Sequence, residues 1–225
     1  MKKQSLILFV ILLLPVLIFI FFSVATHNAA IVPFFGPREA VTKTVDGKQV
    51  TDTIYHSIPP FKFVNQEGDT ISEKNYEDHY YIADFFFTTC KSICPKMATT
   101  LAVVQEKFRD NDAVLILSHT VNPQHDSVPV LKAYAQMVHA DPKKWTFVTG
   151  TKKSIYDIAI NGYLLPAGED VQAEGGFLHS EQLILVDKQK HIRGIYDGTS
   201  LPDVNKLIED LTLLLHEEKV RQKSE

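Results

Sequence analysis

The stretch Phe85–Met97 reads FFFTTCKSICPKM and carries both cysteines of the chain, Cys90 and Cys94, with Pro95 directly after the second. On a helix or a tight helical turn, residues four apart lie on one face, with Cβ atoms about 5–6 Å apart. Modest rearrangement brings such a pair into disulfide range. The same spacing lets two thiolates grip one soft metal ion. A helix N-terminus favours the thiolate, the form that both metal binding and thiol exchange need. Lys91, between the two, adds a positive charge. The pair therefore forms a local disulfide, holds a metal, or alternates between the two.

Two thiolates leave a soft ion under-coordinated. Cu(I) accepts two or three soft ligands, and imidazole suits copper well. The chain has nine histidines. His179 stands alone in GGFLHSEQLILVD, where Gly175-Gly176 permits an unusual loop path and a strand begins just after; it is a candidate third ligand. His119 and His125 flank TVNPQ, and His119 reads as a polar strand-end residue. Structural zinc wants four ligands, and two cysteines without a helically spaced histidine pair do not supply them.

These residues need elements to position them. Tyr80–Phe87, YYIADFFF, is a nearly continuous apolar run, as in a central strand buried on both faces. From Cys94 onward, Met97, Leu101, Val104 and Phe108 fall at helical spacing. Ala113–Val121 reads as the next buried strand, and Ser127 with Pro129 opens a helix. WTFVTG is a short strand and TKKSIYDIAINGY a further helix. EQLILVD and HIRGIYDG pair around residues 187–190, and a helix beginning near Leu201 closes the chain. Strands alternating with helices predict an α/β fold of thioredoxin-like order, a central mixed sheet flanked by helices. The cysteines then sit at the carboxyl end of a central strand.

At the N-terminus, Leu6–Phe22 is free of charge and follows Lys2-Lys3. With Val24 and Ala25 it makes roughly 20 apolar residues, enough for a transmembrane helix. The lysines stay inside, so the rest of the chain is exported. A cleaved signal would normally have a shorter apolar region. Residues 1–25 are thus expected to be a membrane anchor, 26–57 a linker with a hairpin turning at Asp46-Gly47, 58–218 the globular domain, and 219–225 a charged tail. The net charge is -4, with no basic patch interleaved with aromatics, so nucleic acid is not expected as a partner. Outside the cytoplasm, thiols oxidise unless a metal or a dedicated reductant intervenes.

Three segments resemble, in order, the Sco/SenC family of copper-delivery proteins for cytochrome c oxidase. They are FFFTTCKSICP, TVNPQHDSVPVLKAYA and HSEQLILVDKQKHIRGIYDG, and the resemblance spans Ile58 to Leu215. It implies a thioredoxin-like fold and one copper ion, Cu(I) or Cu(II), held by Cys90, Cys94 and His179, with a Cys90–Cys94 disulfide as the empty oxidised state. It also implies the oxidase's copper-bearing subunit as recipient, and other copper chaperones or thiol reductants as further partners. The chain departs from the family frame at Asn122, at Gln124-His125 where the frame has Glu-Arg, and at Leu178; Asp126 matches. The alternative is a thiol–disulfide oxidoreductase in which one cysteine attacks a partner disulfide and the other resolves it. Its Cys-x3-Cys spacing differs from the Cys-x2-Cys of thioredoxins.

Overall fold

The structure is a computed structural model describing residues 9, 11–19, 32–45, 48–165 and 180–224. By its contacts the chain divides into two units, Met1–Val32 and Pro33–Glu225. In the first, residues 9 and 11–19 are helical, and their apolar side chains are exposed. Among the described residues, no helix is long and apolar enough to cross a membrane. The remainder of the expected anchor lies outside the described residues.

The second unit starts with a two-stranded ribbon, β1 (Arg38–Val45) and β2 (Lys48–Tyr55). This is the expected hairpin; its Asp46-Gly47 turn lies outside the described residues. A seven-stranded sheet follows. Its strands are β3 (Lys62–Asn65), β4 (Thr70–Ser72), β5 (Tyr80–Phe86), β6 (Val114–Thr120), β7 (Trp145–Thr149), β8 (Gln182–Val186) and β9 (Ile192–Asp197), in the order β4-β3-β7-β6-β5-β8-β9. β5 and β6 pair in parallel, as do β6 and β7, while β3, β8 and β9 join antiparallel. The sheet is therefore mixed, as the sequence predicts. Every residue of β5 is buried, which is why its run lacks the polar alternation of a half-exposed strand.

The helices are α1 (Ile93–Lys107), α2 (Val128–Met137), α3 (Lys152–Asp157) and α4 (Leu201–Ser224). α3 passes into a π-helical turn, Ile158–Gly162. α4 continues through the charged segment expected as a tail, so that segment is a helix end.

Successive strand residues point to opposite faces, and the contacts follow that rule. On one face, Phe86 stacks on Tyr134 of α2 with ring centroids 5.0 Å apart, and Tyr80 donates to the Leu214 carbonyl of α4 at 3.4 Å. On the other, Phe85 meets Tyr163 after the π turn, with centroids 5.6 Å apart. The cysteine loop follows the carboxyl end of β5. The chain enters the domain at the opposite end, where the Arg193 guanidinium lies 4.2 Å over the Phe34 ring and Phe35 N–H donates to the Ile192 carbonyl at 2.8 Å.

Candidate metal and thiol site

After β5 the backbone tightens, and Cys90 N–H donates to the Phe87 carbonyl at 3.1 Å. α1 begins three residues later. Its N-cap, Ser92, makes no side-chain cap bond. Instead the Cys94 N–H donates to Cys90 Sγ at 3.4 Å. The first sulfur thus takes one of the amide hydrogens that a helix start leaves without an intrahelical acceptor. Ser92 Oγ lies 3.9 Å from the same sulfur. Both cysteines are buried, and both are free thiols in this state.

The two thiols are not equivalent. Burial works against the Cys90 thiolate. Hydrogen bonds from the Cys94 thiol and from the N–H groups of Cys94, Ser92 and Ile93 outweigh it and bring Cys90 below its ordinary range. Cys94 goes the other way. Burial, then its hydrogen bond to Cys90 and the nearby Cys90 and Asp84 charges, push it well above the ordinary range. Cys90 is thus the more readily ionised of the two, and Cys94 holds its proton. The expected helix-terminus activation reaches Cys90 alone.

Two buried carboxylates hold this corner. Asp126 accepts from Thr88 N–H at 3.1 Å, from the hydroxyls of Thr88 and Thr120, and from His125 Nδ1 at 2.9 Å. It ties the cysteine loop to the end of β6. Asp84, on β5, accepts from the Ser118 hydroxyl, which in turn accepts from Trp145 Nε1 at 2.7 Å. Burial raises the Asp84 carboxyl to about 7, with the Ser118 hydrogen bond opposing. Sequence reasoning passes over Asp84. Its signal is a lone charge inside an apolar run, and a buried polar group is the informative exception in a core.

The histidines separate clearly. His119 is fully buried on the face away from Asp84, boxed by Phe61, Phe63, Phe85 and Tyr163. Among the described residues its Nε2 has no hydrogen-bond partner. It is a core residue rather than the polar strand-end residue expected from the sequence. His125 lies beside the cysteine loop, and His56, His79 and His191 bond elsewhere. His179 falls outside the described residues, and among those described no group of three His, Cys, Asp or Glu side chains converges as a metal site.

Comparison with known proteins gives a consistent picture. The SCO1 protein homolog of Bacillus subtilis (strain 168) is 29% identical over 171 residues, covering 73% of this chain and 86% of that protein. The crystal structure of a SCO1/SenC family lipoprotein from Bacillus anthracis str. Ames superposes with a TM-score of 0.65 at 25% identity, covering 71% of this chain and 95% of that one. A structure of BsSco, described as a member of the Sco family of cytochrome c oxidase assembly proteins with a disulfide switch, gives 0.61 at 26% identity, covering 70% and 92%. Arabidopsis thaliana ScoI, solved with copper bound, gives 0.59 at 23%, covering 71% and 98%, and so shares the fold. Residues 36–216 match the SCO1/SenC family, far more than half of the 225-residue chain, and the chain belongs to that family.

Proposed function

We propose that this chain is a membrane-tethered copper chaperone for cytochrome c oxidase. Cys90 and Cys94 supply two thiolates and His179 an imidazole to one copper ion, Cu(I) or Cu(II). The ion passes by ligand exchange to the oxidase's copper-bearing subunit. The observation that carries this reading is the thiol pair itself: two buried sulfurs at a helix start, one of them held towards thiolate by converging N–H donors. Soft, low-coordinate thiolate sites select Cu(I). Metal binding drives off the remaining thiol proton, so the raised Cys94 makes loading pH-dependent. The copper-bound and oxidase-assembly relatives agree with this assignment.

Chain connectivity supports His179 as third ligand. β8 begins at Gln182, beside the end of β5 that leads to the cysteines, and Gln182 N–H donates to Ser180 Oγ at 3.2 Å. His179 is the next residue, one peptide step of about 3.8 Å from Ser180. Residues 1–25 serve as anchor and 58–218 as the copper domain, on the exported side of the membrane. Tethering both partners raises their effective concentration.

A second reading, thiol–disulfide exchange on the recipient's cysteines, is favoured by the unequal thiols, since a low-pKa attacking sulfur beside a protonated one suits it. Titration of the reduced, detergent-solubilised full chain with Cu(I) separates the two. One-to-one binding that is lost in Cys90→Ser and Cys94→Ser and weakened in His179→Ala supports the chaperone. Normal copper binding by His179→Ala together with high disulfide reductase activity overturns it.

A further inference from the structure

His125 and Asp126 form a unit that the proposed copper site does not use. Asp126 is fully buried. Its two oxygens receive four donors: Thr88 N–H, the Thr88 and Thr120 hydroxyls, and His125 Nδ1. A carboxylate only accepts, so the proton between Asp126 and His125 sits on Nδ1. That fixes the neutral tautomer and leaves the Nε2 lone pair free to bind. The His125 side chain is 54% exposed. The same Nδ1 is 3.5 Å from Thr88 Oγ1, and Thr88 is two residues before Cys90. An exposed imidazole whose other nitrogen is held by a buried carboxylate is the usual arrangement of a metal-binding histidine.

We propose that His125, oriented by Asp126, is a capture ligand that takes a soft cation, Cu(I), at the surface and hands it to Cys90. The proposal rests on the copper reading above. No electron moves in the transfer. The Nε2–Cu bond breaks as a Cu–Sγ bond to Cys90 forms, and any thiol proton displaced leaves to solvent. The family frame that the sequence resembles has arginine at position 125, and a guanidinium has no lone pair to offer.

The test follows Cu(I) transfer from its bicinchoninate complex to the reduced full chain, by loss of the chelator's visible absorbance in stopped flow. A ligand that acts on the path speeds both directions. His125→Gln is therefore expected to slow uptake and the reverse release together, each about tenfold, with Asp126→Asn intermediate. His125→Lys, which supplies a positive charge but no metal-binding nitrogen at neutral pH, should be as slow as glutamine. Wild-type rates in His125→Gln, or recovery in His125→Lys, overturn the proposal. A second arm uses the Cys90→Ser/Cys94→Ser double variant. In its histidine side-chain NMR spectrum, Cu(I) should shift the His125 Nε2 resonance, and no shift overturns the proposal. If instead the double variant binds copper as tightly as wild type, it is the cysteine site that fails, while the His125 resonance still decides the capture ligand.

Discussion

Asp84 and His119 are close neighbours on adjacent central strands, yet they face opposite sides of the sheet and meet opposite surroundings. The β5–β6 ladder pairs Asp84 with Ser118 and Phe85 with His119. Asp84 has a polar chain through Ser118 to Trp145 and lies near enough to Cys94 for its charge to be felt there. His119 has aromatic rings and one long contact from Nδ1 to the Asp84 carbonyl, 3.4 Å. Burial raises Asp84 to about 7 and lowers His119 to about 3. Burial thus disfavours the charged form of both, the carboxylate of Asp84 and the imidazolium of His119, and the two give stability opposite pH slopes. The polar group beside the cysteines titrates near neutrality. The one on the far side stays silent across the physiological range.

The largest expected effect is at His119. Its folded value lies below the ordinary 6.5, so its contribution is complete above pH 6.5 and is lost as pH falls towards 3. His119→Leu should remove that acid sensitivity. Relative to wild type it gains up to ~5 kcal/mol at pH 3 and much less at pH 8, measured by urea unfolding at both. Equal gains at the two pH values would mean that the imidazole does not ionise on unfolding.

Asp84 should show the reverse trend. Its folded value lies above the ordinary 3.8, so stability is greatest below pH 3.8 and declines as pH rises through about 7. Asp84→Asn should gain on wild type by up to ~4 kcal/mol between pH 4 and pH 8. A flat difference in urea midpoints across that range would remove the contrast between the two faces.

Asp126→Ala comes next. It leaves Thr88 N–H and the Thr120 hydroxyl without their acceptor, at a cost of about 2–3 kcal/mol. Hydrogen exchange at the Thr88 amide should quicken more than at the amides of β8. The smallest effect is Tyr81→Phe, which removes a long hydroxyl contact to Tyr163 at 3.4 Å. It should cost about 1 kcal/mol or less by the same unfolding assay.

The strand and helix order was legible because period and composition carry it. An unbroken apolar run such as Tyr80–Phe87 belongs in the middle of a sheet. Asp46-Gly47 between two alternating stretches is a turn signal, and the ribbon around it formed. The cysteine pair was legible from spacing. What decides the chemistry of that pair was not, because it depends on which sulfur receives the Cys94 N–H, a matter of one loop's path. Nor was the Asp126 knot, which links Thr88 to a residue 38 positions away. Within the expected buried strand Ala113–Val121, His119 looked like a polar strand-end residue. β6 instead runs to Thr120 with Ser118, His119 and Thr120 all buried, because the opposite face offers His119 aromatic rings from distant segments.

X-ray absorption at the copper edge of the Cu(I)-loaded full chain addresses the proposed site most directly. Two sulfur neighbours and one nitrogen are predicted, with both sulfurs kept and the nitrogen lost in His179→Ala. A first shell of nitrogen and oxygen alone, or a shell that His179→Ala leaves unchanged, would contradict it.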